Sequence, residues 1–131
     1  MSYPEIRYKG QYTLQRVLTM PLPAAAPLVA ADIAKTVSLN ASGEVILGAD
    51  AANFWGVLRT VNSNDGIATV DFSGVHEFAA AGTIAVGDRV VPDGAGSVRA
   101  YVVGTDLECA SAAVALSGAA DTESVSIFFL N

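Results

Sequence analysis

A chain of 131 residues holds one domain with a real core and is too short for two. Its composition, 52 % hydrophobic and rich in Ala, Val and Gly, suits a compact β-barrel or sandwich better than a helical bundle. The formal charge of −6 argues against nucleic-acid binding through the folded surface, because phosphates need cationic partners.

That charge is unevenly spread. Residues 1–35 carry four basic groups (Arg7, Lys9, Arg16, Lys35) against Glu5 and Asp32, while the remainder carries three basic groups against eleven acidic ones. A low charged fraction, 15 %, also fits a protein whose surface is covered by partners. The lone Cys109 allows no internal disulfide and sits among Ala and Ser as a small buried thiol would. Charges precede any apolar run at the N-terminus, so no signal peptide is expected. The run at 21–31 holds three prolines and is too short to cross a bilayer. These features lead us to expect a soluble product of a cytoplasm with no membrane partner.

In chain order, residues 1–31 read as an extended N-terminal arm and 32–131 as the folded body. Tyr3, Tyr8 and Tyr12 are three of the four tyrosines, and Tyr8, Tyr12 and Leu14 share one strand parity. Met20-Pro21-Leu22-Pro23 and Pro27 oppose helix and interior strand alike, which gives a polyproline-like spacer or an edge segment. The alternative is that this leader completes the sheet of its own subunit.

From residue 33 the pattern is regular. Thr36-Val37-Ser38-Leu39 alternates, Asn40-Ala41-Ser42-Gly43 turns, and Glu44-Val45-Ile46-Leu47 returns. A strand over 54–61 runs into Asn62-Ser63-Asn64-Asp65-Gly66, the strongest hairpin signal, and then into a strand over 67–72. Strands follow at 74–78 and 89–92, and Asp93-Gly94-Ala95-Gly96 turns into another at 97–98. Ile33, Val37, Asn40, Gly43 and Val45 superpose on Val86, Val90, Asp93, Gly96 and Val98 at one constant offset, which suggests a duplicated strand–turn–strand unit. Residues 106–117 read either as a short helix behind a Thr105…Glu108 capping box or as a strand at Val114-Ala115-Leu116. Val125, Ile127 and Phe129 share one face of a closing core strand. The expected class is all-β, with room for one short helix: a small β-barrel or β-tulip-like domain bearing an N-terminal arm.

The residues that carry chemistry are scattered. His76 is the only histidine, and its neighbour Glu77 points to the opposite strand face. No histidine or cysteine set has metal-ligand spacing, no serine sits in Gly-x-Ser-x-Gly, and the glycines spell no phosphate loop. We expect no enzyme and no cofactor.

With those residues in view, the chain from about residue 33 to 131 resembles the small capsid decoration, or cement, proteins of tailed bacteriophages. The resemblance rests on an order of features: Gly43-Glu44-Val45, then Trp55-Gly56-Val57-Leu58, then Ser73-Gly74-Val75. Ile84-Ala85-Val86-Gly87-Asp88-Arg89-Val90, the Asp-Gly-x-Gly turn and an aliphatic strand ending at Leu130-Asn131 follow. It implies a β-barrel or β-tulip-like homotrimer on the outer surface of the expanded head. There it bridges neighbouring capsomers of the major capsid protein, so that the mature protein resides in the virion. The leader is longer than is usual in that family. Its Tyr3, Arg7, Tyr8, Lys9 and Tyr12 are the expected capsid contacts. Two rival expectations are a small ligand- or peptide-binding barrel with Phe54 and Trp55 lining a groove, and a hydrolase built on His76.

Overall fold

Short β-branched runs between Gly- and Asx-rich turns fold into ten strands in the computed structural model, which describes residues 17–52, 55–106 and 113–129. These are β1 (Val17–Pro21), β2 (Thr36–Leu39), β3 (Val45–Leu47), β4 (Trp55–Asn62), β5 (Ile67–Asp71), β6 (Gly74–Ala79), β7 (Val90–Pro92), β8 (Val98–Ala100), β9 (Ala113–Ala115) and β10 (Ser124–Phe129). The fold is all-β. The helical content among the described residues is one 3-10 turn, Ala30–Asp32.

The first five strands form one antiparallel sheet in the order β1-β5-β4-β2-β3. The second five form a three-stranded piece, β6-β10-β9, and a two-stranded piece, β7-β8, joined by an antiparallel bridge between Arg89 and Val114. Read across that bridge, the order β6-β10-β9-β7-β8 repeats the first sheet strand for strand. Registers agree as well. Val37 pairs with Leu47 and Leu39 with Val45, as Val90 pairs with Ala100 and Pro92 with Val98. Val57 pairs with Asp71 as Val114 pairs with Phe128, and Leu18 pairs with Val70 as His76 pairs with Ile127.

The duplicated turn shows why the sequence repeats where it does. Asn40 Oδ1 accepts from the backbone N–H groups of Ser42 and Glu44, both at 2.9 Å. Asp93 Oδ1 accepts from those of Ala95 and Ser97 at 2.8 and 3.0 Å. Asn and Asp interchange because the turn itself needs only the accepting oxygen; Asn40 Nδ2 donates in addition to Glu44 Oε1 at 3.0 Å. Gly43 and Gly96 close the two turns at φ +78° and +95°, a region that side chains with a Cβ avoid.

The expected barrel does not close. β7 and β9 share a single bridge, and β8 meets the chain after β6 through one parallel bridge, Ala80 to Val98. Strands of three residues offer too few ladder bonds to seal a continuous wall. In place of a barrel there are two stacked sheets, each with its own core. The front of the first sheet buries Leu22, Leu28, Val37, Leu58, Val70 and Phe72. The front of the second buries Phe78, Ile84, Val90, Val125, Ile127 and Phe129, and its cover comes from the first repeat: Trp55 and Val57, on the back of β4, join this second core.

Part of the expected arm belongs to this body. Val17–Pro21 is the edge strand β1, and Leu22 and Leu28 are 8 % and 6 % exposed in the first core. Pro21 is tolerated because β1 is an edge. Within 106–117, Ala113–Ala115 is strand, and residues 107–112 lie outside the described residues.

Candidate functional site

The expected contact residues Tyr3, Arg7, Tyr8, Lys9 and Tyr12 lie outside the described residues, as does Phe54. Trp55 lines no groove. It is fully buried, 4.8 Å from the ring of Phe129 and 5.9 Å from that of Phe78. A core position leaves no ring face for a ligand.

His76 is placed by the Ser73-Gly74 turn that swings β6 away from β5. Its Nε2 lies 2.7 Å from the carbonyl oxygen of Ser73. A carbonyl only accepts, so Nε2 carries the proton and donates. Asp71 Oδ2 lies 3.5 Å from the same nitrogen and 3.0 Å from Nη1 of Arg59. The other oxygen, Oδ1, accepts from the Ser73 backbone N–H at 3.0 Å and from its hydroxyl at 3.2 Å. Ser, His and Asp therefore meet, yet the hydroxyl proton goes to the carboxylate and the imidazole to a backbone carbonyl. The imidazole is turned to a backbone carbonyl and not to the serine oxygen, so the three groups do not stand in the order serine–imidazole–carboxylate of a hydrolase triad. The cluster locks the corner between the repeats. Its sequence signal was the Asp71-x-Ser73 spacing of an Asx turn, which reading His76 beside Glu77 overlooks.

A second polar cluster pins the loop after β8. Arg99 donates bidentately to Asp106, at 2.8 and 2.7 Å, and through Nε to Asp50 at 2.9 Å. The Val102 N–H adds a 2.7 Å bond to the Asp106 carboxylate. The guanidinium bonds, with this N–H second, lower the Asp106 pKa from 3.8 to about 2, and the same carboxylates raise that of Arg99. Stability from this depressed carboxylate is present above its unfolded value of 3.8 and is lost as pH falls toward 2. The urea midpoint is expected to drop through that window. Asp106→Asn, with nothing to titrate, should lower the midpoint at pH 7 and flatten the acid fall. An undiminished midpoint at pH 7 would contradict this role.

Two surface features remain. A groove of about 280 Å³ runs between Lys35, Gly96 and Ser97 on one side and Glu77, Thr122 and Ser124 on the other. Lys35 is held at its rim by Asp32 at 3.3 Å. The back of the second sheet, by contrast, carries a small exposed apolar patch beside Glu77, Ser126 and Arg89 of the same face. Val75 and Val114 flank Phe128 in register, and Val75, Phe128 and the neighbouring Leu116 are 55 %, 37 % and 50 % exposed. Among the described residues no group of three His, Cys, Asp or Glu side chains converges to hold a metal.

No family model matches the chain, and no curated protein matches it either.

Proposed function

We propose that this chain is a capsid decoration protein of a tailed bacteriophage. It sits as a trimer on the outside of the expanded head and ties neighbouring copies of the major capsid protein together. The observation that carries this reading is a contrast in how side chains are used. The polar clusters at Asp71 and Asp106 are consumed in holding corners and loops, whereas apolar side chains on the second sheet are left facing out. Such a molecule acts through surface and shape. Several modest contacts made at once give tight attachment, because all must break together. The basic, tyrosine-rich leader adds an extended segment able to pair with an exposed strand edge.

The leader is tested by truncation. Because β1 begins at Val17, the cut that spares the body removes residues 1–16 and no more. A deletion reaching residue 20 would take the edge strand with it. The shortened chain is expected to keep its melting temperature and to lose co-sedimentation with expanded, undecorated heads. Unchanged binding would remove Tyr3, Arg7, Tyr8, Lys9 and Tyr12 from the contact. The groove between Lys35 and Glu77 favours a second reading, a peptide-binding module, for which a monomer indifferent to heads is the expected result.

A further inference from the structure

The second sheet fails to close along the outer edge of β6. Its one tie there is the Ala80–Val98 bridge, where the Ala81 N–H donates to the Val98 carbonyl at 2.7 Å. β8 begins only at Val98, so the earlier residues of β6 have no strand beside them on that side. The groove of about 280 Å³ lies in this gap, with Glu77 and Ala79 on one wall and Lys35, Gly96 and Ser97 on the other. Ala80 shows which way the β6 backbone is turned. It donates to Glu123 O and accepts from Thr122 N, both at 2.8 Å, on the β10 side. Alternation turns Phe78 to that side as well, and turns the Glu77 and Ala79 N–H groups and the Glu77 carbonyl outward. None of these three outward groups finds a partner among the described residues. The walls also hold costly backbone: Ala34 sits at φ +75° and Thr122, which is β-branched, at φ +70°. Such strain gathers where a fold keeps the shape of a clamp.

We propose, on the decoration reading above, that an extended, basic segment of the major capsid protein enters this groove and adds a strand to the outer edge of β6. Donors and acceptors repeat along that edge at strand spacing, and another main chain is the ligand that matches such a row. Charge gives the character of the incoming side chains. Lys35 is already answered by Asp32 at 3.3 Å, whereas Glu77 makes no ion pair among the described residues. Asp121 and Glu123 bracket Thr122 on the same wall. Their carboxylates accept from the Gly82 and Ala120 N–H groups and keep their charge. A Lys or Arg set across from Glu77 in the added strand completes the pairing. The competing occupant is the basic leader of this same chain.

Hydrogen exchange reads this edge in the free chain and in the chain bound to expanded, undecorated phage heads. In the free chain the Glu77 and Ala79 amides should exchange fast, with those of Phe78 and Ala80 as the slow reference. On heads the fast pair should slow by about tenfold or more, the effect of one added hydrogen bond each. Ala79→Pro deletes one outward N–H at an edge position that tolerates proline. It should weaken head binding about tenfold at an unchanged melting temperature, while Ala79→Gly, which keeps the N–H, should bind as the native chain does. If Ala79→Pro fails to fold, Glu77→Lys interrogates the same edge by charge and should weaken binding too. Bound chains whose Glu77 and Ala79 amides still exchange fast would overturn the proposal and leave the decoration reading standing. So would folded Ala79→Pro or Glu77→Lys chains that bind heads as tightly as the native one. Slow exchange of both amides in the free chain would also overturn it, because the leader or a second copy would then fill the groove. A chain that never pellets with heads would remove the decoration reading and this contact with it.

Discussion

Trp55→Ala is expected to lower the unfolding free energy by about 3–5 kcal/mol, the range for truncating a large buried aromatic. Stability of a domain this size is about 5–15 kcal/mol in all, so the variant should populate unfolded chains on modest warming. The reason lies in where the indole sits. Trp55 is carried by the first sheet but fills the core of the second, edge-on to Phe129 and tilted to Phe78. Removing it opens a cavity and uncouples the repeats together. Its Nε1–H is buried and finds no acceptor among the described residues. Trp55→Phe keeps most of the ring contact and discards that unsatisfied donor, so it should cost much less than Trp55→Ala. Urea unfolding of both variants checks this. Equal losses would mean that the nitrogen, not the ring, matters.

Gly56→Ala should be nearly as damaging, although it adds one methyl group. A Cβ at Gly56 would lie 2.5 Å from the carbonyl oxygen of Asp71 and 2.7 Å from Cδ1 of Phe72. The first of these is backbone in the adjacent strand and cannot swing aside without disturbing the Asp71 corner. Overpacking of this kind costs about 1–3 kcal/mol, and the rigid neighbour places this site near the top of that range. Gly43→Ala is the control. Its Cβ would meet nothing, so only the left-handed backbone is penalised, by about 1–2 kcal/mol. A Gly56→Ala chain as stable as Gly43→Ala would show that the β4–β5 approach is looser than described.

The readable parts of this fold are those set by local chemistry. Asn40 and Asp93 announce their turns because the accepting side chain and the following glycine act within four residues. Alternation in Val125, Ile127 and Phe129 marks a buried face for the same reason, since strand parity is a nearest-neighbour property. The repeat emerged from five matched positions, and the registers extend it to all ten strands. Long-range facts stayed hidden. Whether short strands seal into a barrel depends on bridges such as Arg89–Val114 and Ala80–Val98, which no local pattern encodes. β1 is obscured by Pro21 at its end and Pro23 and Pro27 just beyond it, which are compatible with an edge strand but also with a spacer. Trp55 looked available for a ligand because its sequence neighbours do not reveal that a second sheet covers it. Phe128, on the outer face of β10 with Ser124 and Ser126, is legible in the sequence only as the exposed phase of an alternation.

The central claim is that this polypeptide works as a β-built piece fastened to the outside of a viral shell. Co-sedimentation of the full-length chain with expanded, undecorated phage heads tests this most directly. The protein should pellet with the heads and saturate at a fixed ratio to the major capsid protein. A chain that stays in the supernatant at every ratio would contradict the account.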